Sequence, residues 1–209
     1  MSNLKASLPK AIRSQLAPTL RGDGFSGTSQ RYWRLVGGQC QVVEVQGSRY
    51  GGTFAVNMGI QPMSIPLLSG EAPEPKRMRE MDCLFRRRLA RQPGDQWWDY
   101  EPDQLSMEAA ARDACATYEQ VGRAQLEFMA QPTSPLNTVT PEAFAEQTFD
   151  FKGFGNTGVL MAWALGHMRK AAGKNAEAQG FARFALEKIG DGPGGSGLKA
   201  KLRDLLERS

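Results

Sequence analysis

Polar side chains that could do chemistry together fall on short segments of alternating polarity between residues 30 and 91. If these segments pair as strands, one face of the sheet carries Arg34, Glu44, Gln46, Ser48, Asn57, Arg86 and Arg88. Guanidinium groups present planar forks of donors that suit carboxylate and phosphate groups. Trp97 and Trp98 could add a flat apolar wall beside them. The pattern predicts a groove for a small anionic molecule or for an acidic protein segment.

The alternative is a solvated sheet face whose arginines pair with carboxylates of the same chain. Residues 76–91 carry seven basic against two acidic side chains, and residues 92–127 carry eight acidic against two basic. Such blocks fit internal ion pairs as well as they fit a ligand, and surface ion pairs contribute little to stability. They argue against a nucleic-acid partner, because a nucleic-acid binder more often shows one dominant basic face.

The function hypotheses belong to two classes. The first is a cytoplasmic, non-enzymatic binding or adaptor protein that uses the Arg-bearing sheet face or the C-terminal helices. The second is an enzyme or small-molecule binder that acts on an anionic ligand in a groove lined by Arg34, Glu44, Gln46, Arg86 and Arg88. A closed pocket in which Glu44 converges on the arginines would favour an enzyme, whereas an open face would favour a binding module.

No sequence motif predicts a catalytic residue, a metal or a cofactor. The sequence contains no Gly-x-Ser-x-Gly, no Walker loop and no His-Glu-x-x-His. Gly153, Gly155 and Gly158 spell Gly-x-Gly-x-x-Gly before a predicted helix. A dinucleotide fingerprint would need a preceding strand, and a predicted helix and a Phe-rich stretch precede this one. We therefore expect no dinucleotide site.

Cysteine and histidine usage points to reduced, buried thiols in the cytoplasm. Cys40, Cys83 and Cys115 are widely spaced, and neither they nor the single His167 show the spacing of a metal site. Free cysteine is among the most buried residue types, and disulfides are rare in the cytosol. His167 is expected to pack within a helix or lie at the surface, because no nucleophile or orienting carboxylate is evident beside it.

The elements that must position these residues begin with an antiparallel meander. Alternating polarity predicts strands over residues 31–36, 39–48 and 53–60, joined by Gly-Gly turns. A fourth strand is predicted over residues 82–91, with Arg87 on its apolar side as the exception. The apolar face should be covered by helices, and the other face should be small and polar.

Helices are predicted on both sides of the sheet segment. A stripe from Leu8 to Leu20 precedes it, and a long helix capped by Asp103 or Ser106 follows. Helices after residue 136 end in a basic amphipathic one, preceded by a Gly-rich link over residues 191–197. The fold class is therefore α+β, a four-stranded antiparallel sheet with a C-terminal helix-hairpin subdomain. The expected division is 1–135 and 136–209, or one single domain.

The sequence indicates neither export nor a membrane span. The first 20 residues lack the apolar block of a signal peptide, and no stretch approaches the ~20 apolar residues that cross a bilayer. Weak contact of the basic last helix with RNA or a membrane surface remains a third possibility, recognisable by steep salt dependence.

Several segments resemble one bacterial family, catalogued as domain of unknown function 4304. The segments are Phe25, Tyr32-Trp33-Arg34, residues 42–48 and residues 54–59, with further similarity in residues 83–89 and at Trp97-Trp98. The resemblance covers residues ~5 to ~130. The sequence departs from the family pattern at Glu44 and Gly47, where an Asn-like and a Lys-like residue are expected. The resemblance implies the sheet and its preceding helix, and it implies no established activity.

Overall fold

The computed structural model describes residues 7–192 and 195–207. The predicted N-terminal stripe forms two helices, α1 (Leu8–Gln15) and α2 (Ala17–Gly22), because Pro18 begins a new helix. The Ser7 side chain accepts from the Lys10 backbone N–H and caps α1. Residues 1–6, which include the start of the proposed non-exported terminus, lie outside the described residues.

The described residues form six antiparallel strands, so the predicted fold class is confirmed and the predicted count of four is too low. The strands are β1 (Ser26–Thr28), β2 (Arg31–Val36), β3 (Gln39–Gly47), β4 (Thr53–Pro62), β5 (Phe85–Arg88) and β6 (Trp98–Asp99). Their order is β1-β2-β3-β4-β5, and β6 also pairs with β4. Gly37 and Gly38 have φ values of 56° and 73°, the left-handed conformation that tight hairpin turns require.

The predicted fourth strand over residues 82–91 is shorter in the structure. Its first part belongs to a 3₁₀ helix, Glu80–Asp82, in which the Asp82 side chain accepts from the Arg79 N–H at 3.0 Å. Only Phe85–Arg88 pairs with β4. On its outer edge, Arg86 exchanges two backbone hydrogen bonds with Gly155, so part of this edge is closed by the chain itself.

The helices follow the sheet as predicted, with shifts at their ends. They are α3 (Gln104–Thr117), a π-helical turn (Tyr118–Gly122), α4 (Arg123–Ala130), α5 (Pro135–Thr138), α6 (Pro141–Ala145), α7 (Gly158–Ala171), α8 (Asn175–Ile189) and α9 (Ser196–Glu207). Asp103 caps α3, as predicted. Thr157 and not Asn156 caps α7, and α8 begins at Asn175 itself. Within the Gly-rich link, residues 193–194 lie outside the described residues.

The helices bury the apolar face of the sheet. Tyr32, Val43 and Met58 on this face belong to one cluster of buried residues that also includes Trp163 of α7 and Leu205 of α9. Residues on either side of the predicted boundary at 135 therefore share one hydrophobic core.

The second face of the sheet is only partly polar, which corrects the prediction. Cys40 and Val42 of β3 are buried against Met78 and Cys83. The Pro-rich segment after β4 turns back across this end of the face, and apolar side chains of that segment pack there. The opposite end of the same face is left open and carries the polar side chains.

Candidate functional site

Three neighbouring strands bring five of the predicted site residues together on the open end of the second face. Asn57 of β4 lies opposite Glu44 of β3 on one side and opposite Arg88 of β5 on the other. Gln46 and Arg86 occupy positions of the same parity on their strands. We call this surface the polar face, defined by Glu44, Gln46, Asn57, Arg86, Arg88 and Trp97.

Arg88 is fixed at the centre of a hydrogen-bonded network on the polar face. Its Nε lies 3.2 Å from Asn57 Oδ1 and 3.0 Å from Asp95 Oδ1. Asn57 Nδ2 in turn donates to Gln46 Oε1 at 2.9 Å. The Arg88 guanidinium carbon lies 4.6 Å from the centroid of the Trp97 ring, within cation–π range. The side-chain amides of Gln46 and Asn57 and the ring of Trp97 therefore hold the Arg88 guanidinium group in a defined orientation.

A second network crosses the polar face beside the first. One oxygen of Glu44 accepts from the Glu80 backbone N–H at 2.9 Å, and the other lies 4.0 Å from Arg79 Nε. Arg86 Nε lies 3.6 Å from Glu80 Oε1. Burial raises the pKa of the Glu80 carboxyl, with the Arg86 charge opposing the shift and the Glu44 charge adding to it. The carboxylates of Glu44 and Glu80 are therefore more buried than the guanidinium groups of Arg79 and Arg86 beside them.

Arg34 does not belong to the polar face, which corrects the prediction. It lies opposite Gln41 on β2 and β3 and donates to Gln41 Oε1 at 2.9 Å and to the Asp23 carbonyl at 2.7 Å. Its parity is that of the buried Tyr32. Arg31 is the β2 residue that lies opposite Glu44. The prediction therefore assigned the Arg34 side chain to the wrong face of the sheet.

Trp98 and Ser48 are also removed from the predicted groove. Trp98 points to the opposite side of the strand from Trp97 and is buried against Phe54, with ring centroids 5.6 Å apart. Its indole N–H donates to Asp113 Oδ2 at 2.9 Å. The Ser48 hydroxyl accepts from the Tyr50 N–H in the hairpin turn. Trp98 therefore serves the core and Ser48 serves the turn, while Trp97 remains 39% exposed.

The cysteines and His167 occupy structural positions. In the described part of the chain all three cysteines are free and buried. Burial raises the pKa of Cys40 to about 11 and also raises that of Cys83 well above its usual range, so both thiols stay protonated and poorly nucleophilic at neutral pH. His167 packs against Trp163, with ring centroids 4.8 Å apart, and burial lowers its pKa.

Residues 7–192 and 195–207 contain no cluster of three or more His, Cys, Asp or Glu side chains that could hold a metal ion. Within the same ranges, no helix combines the length and apolar character needed to span a bilayer. Gly153 and Gly155 lie in a loop that pairs with the edge strand β5 at Gly155, and Gly158 is the first residue of α7.

Sequence reasoning missed a cationic cleft on the other side of β5. The cleft has a volume of about 500 Å³, and Arg87, Arg91, Lys152 and Gln125 are among the residues that line it. Arg87 was recognised as an exception on the apolar side of its strand. Its partner loop at residues 150–153 is too far away in sequence for any local pattern to link the two.

More than half of the chain matches the model of a known protein family. Residues 16–126 match the family model described as Domain of unknown function (DUF4304). The chain belongs to this family. The match runs from the end of α1 into α4 and includes the complete sheet, whereas α5 to α9 follow it. Searches of curated proteins and of solved structures gave no significant match.

Proposed function

We propose that this protein is a non-enzymatic binding module and that its polar face binds an acidic segment of a protein partner. The observation that carries the proposal is the Arg88–Trp97 pair on an open sheet face. Tryptophan and arginine are the residue types most enriched at the energetic centres of protein interfaces. The strand amides of Gln46 and Asn57 hold Arg88 in place before a partner arrives, which lowers the entropic cost of binding.

The exposure of the charged groups supports an acidic partner. Arg79 and Arg86 have side-chain exposures of 54% and 42%, whereas their partners Glu44 and Glu80 have 23% and 15%. A molecule approaching Arg79 and Arg86 therefore meets guanidinium groups before carboxylates, whereas at Arg88 the partner Asp95 is the more exposed side chain, 65% against 21%. Because the arginines have N–H donors beyond those used in these pairs, they can also donate to the carboxylates of a partner.

The same contacts favour a binding role over a catalytic one. The enzyme hypothesis requires a closed pocket in which Glu44 converges on the arginines. One of the Glu44 oxygens accepts from the Glu80 backbone and the other faces Arg79. We therefore assign Glu44 to holding the 3₁₀ helix against the sheet. Three free cysteines suit a reducing compartment, and we propose that the protein acts in the cytoplasm.

The test uses zero-length carbodiimide cross-linking, which joins lysine amines to carboxylates in direct contact. Lys76 is exposed and lines a shallow groove together with Glu44. Tagged protein is cross-linked in host lysate, and the peptides joined to Lys76 are identified by mass spectrometry. We expect one protein whose joined peptide is rich in Asp and Glu, with a yield that falls as the salt concentration rises.

Two charge-reversal variants, each with two Arg→Glu substitutions, make this test specific. Arg86→Glu/Arg88→Glu should abolish the cross-link, whereas Arg183→Glu/Arg203→Glu, at exposed positions on α8 and α9, should leave it unchanged. Circular dichroism establishes that both variants are folded. Equal cross-linking by the two variants, or a partner peptide without acidic residues, would contradict the proposal.

A further inference from the structure

The cationic cleft beside β5 adjoins the polar face and shares Arg88 with it. It lies between the loop at residues 150–153, the segment 90–94 and the π-helical turn. Four cationic side chains line it, Arg87, Arg88, Arg91 and Lys152. Arg88 pairs with Asp95, Arg91 with Asp113 and Lys152 with Asp150, so that among the described residues Arg87 is the lining cation without an ion pair. Its volume of about 500 Å³ lies within the range of small-molecule sites.

Arg87 is the cation that most lacks a counter-charge. Its guanidinium group is half-buried and packs against Gly153, where an added Cβ would lie 2.9 Å from Nη1. It donates to the backbone carbonyls of Arg88 and Lys152. In the described part of the chain no carboxylate forms an ion pair with it; burial lowers its pKa, and the charge of Asp150 opposes this shift. An anion in the cleft would compensate this desolvated charge.

Lys152 is held beside Arg87 in an uncommon backbone conformation. Its φ is 54°, in the left-handed region that residues other than glycine rarely occupy. Asp150 maintains it by accepting from the Lys152 N–H and from Nζ, both at 2.6 Å. Backbone strain of this kind is concentrated at ligand sites. This conformation places the Lys152 side chain in the lining of the cleft.

Gln125 adds an acceptor to the same cleft. Its side-chain oxygen Oε1 is buried and has no hydrogen-bond partner among the described residues. A buried acceptor that is left unpaired is costly. The residue lies just after the π-helical turn Tyr118–Gly122, and such turns occur frequently at functional sites. A ligand that carries a donor would satisfy this oxygen.

We propose that this cleft binds a small phosphate-bearing molecule. Arg87, Arg91 and Lys152 contact the phosphate oxygens, and a donor on the remainder of the molecule reaches Gln125 Oε1. Arg87 lacks an ion pair, and Arg91 and Lys152 line the same cleft with donors beyond those used by their own carboxylates. Guanidinium forks match phosphate geometry. The inference goes beyond the protein-binding role of the polar face, because Arg87 projects to the opposite side of β5 from Arg86.

Inorganic pyrophosphate is the first probe, measured against sodium chloride of equal ionic strength. Saturable binding should raise the melting temperature and shift the NMR signals of Lys152 and of the Gln125 side-chain amide. Lys152→Asn removes the charge while keeping a residue that tolerates the left-handed conformation. It should weaken binding about tenfold or more, the loss expected for one charged hydrogen bond, without lowering the melting temperature of the unliganded protein.

Arg91→Gln provides a second variant outside the strained loop and should weaken binding by a similar factor. Lys10→Gln/Arg13→Gln alters a separate shallow pocket near the N-terminus and should leave binding unchanged. Absence of a saturable shift, or equal affinity in Lys152→Asn and wild type, would overturn the proposal. The affinity of a phosphoserine peptide is compared with the affinities of pyrophosphate and of a nucleoside diphosphate. Tighter binding of the peptide than of both small molecules would overturn the assignment to a small molecule.

Discussion

Asp23 is a residue on which the helices and the sheet converge. Its Oδ2 accepts from the Tyr118 hydroxyl and from Arg123 Nε, both at 2.8 Å, and its backbone carbonyl accepts from Arg34. Tyr118 is fully buried, and burial together with the Asp23 carboxylate raises its pKa. One carboxylate at the end of α2 therefore satisfies a buried phenol in the π-helical turn.

We predict that Asp23→Ala lowers the free energy of unfolding by about 2 kcal/mol, the scale of a hydrogen bond to a charged group. The loss arises because the Tyr118 hydroxyl and the Arg123 guanidinium lose their acceptor. Urea denaturation measures it. Glu119→Ala is the matched control, because Glu119 pairs with the same Arg123 at 3.8 Å in an exposed position and should change stability by only a few tenths of a kcal/mol. Equal losses would refute the assignment.

Glu80 and Asp113 should affect stability with opposite dependence on pH. Burial raises the pKa of Glu80, so its protonated form is favoured in the folded state and stability is lost as the pH rises through the folded pKa. Hydrogen bonds from Arg91 lead the causes that lower the pKa of Asp113. Its contribution is present above the unfolded pKa and is lost as the pH falls through the folded pKa.

We predict that Glu80→Gln raises the free energy of unfolding at pH 7 and that this gain disappears below pH 4.5, the ordinary carboxyl value. Asp113→Asn should lower the free energy of unfolding at pH 7, with a loss that shrinks in acid. Urea denaturation of both variants and of wild type, from pH 7 down to a pH below 3.8, the ordinary aspartate value, provides the measurement. A gain for Glu80→Gln that persists in acid would show that packing, and not ionisation, causes it.

At the scale of elements, the close approach of the 3₁₀ helix to β4 determines where the polar face ends. Gly59 makes this approach possible, because a Cβ there would lie 2.7 Å from Cys83 Sγ, 2.9 Å from Cys83 Cβ and 3.3 Å from Glu80 Cα. The helix then places the Glu80 N–H on Glu44. Because Gly59 has no side chain, the 3₁₀ helix can pack against β4 and cover part of the second face.

We predict that Gly59→Ala destabilises the protein by about 1–3 kcal/mol, the range for overpacking a core. The extra methyl group would push the 3₁₀ helix away and break the Glu80–Glu44 hydrogen bond. Chemical denaturation gives the stability, and hydrogen exchange at the Glu80 amide reports the local contact. Gly22→Ala is the control, because an added Cβ there meets nothing within 4 Å. Unchanged exchange at Glu80 in Gly59→Ala would argue against this contact.

At the scale of the whole molecule, one buried cluster connects the family region to the helices that follow it. Arg169 of α7 is 3% exposed and ties this connection further, because it donates to the Leu136 and Val139 carbonyls at 2.9 and 2.8 Å and to Glu177 at 2.8 Å. Breaking a buried pair of this kind is costly. These contacts support our proposal that the sheet and the C-terminal helices form one cooperative unit.

We therefore predict a single unfolding transition. Trp33, Trp97 and Trp98 lie in or beside the sheet, and Trp163 lies in α7. In Trp163→Phe, tryptophan fluorescence reports the sheet region alone, while circular dichroism follows all the helices. The two probes should give the same urea midpoint, since two-state unfolding is common to single domains. Separate midpoints would instead support a boundary near residue 135.

The sequence by itself determined the elements with strong local signals. Alternation along residues 53–60, the Gly-Gly turns and the cap at Asp103 each depend on neighbours within a few residues, and all are present in the structure. The same alternation correctly brought Glu44, Gln46 and Asn57 together, because side-chain parity is fixed along each strand. The fold class and half of the candidate site follow from these local rules.

Only the tertiary structure decided how separate elements meet. Arg34 was assigned to the wrong face because parity between strands depends on register, and a shift of one residue reverses every side chain. The return of residues 63–83 across the second face depends on the absent side chain at Gly59. The Arg87–Lys152 contact joins positions 65 residues apart, so it arises from packing of the helices onto the sheet edge and has no local signal in the sequence.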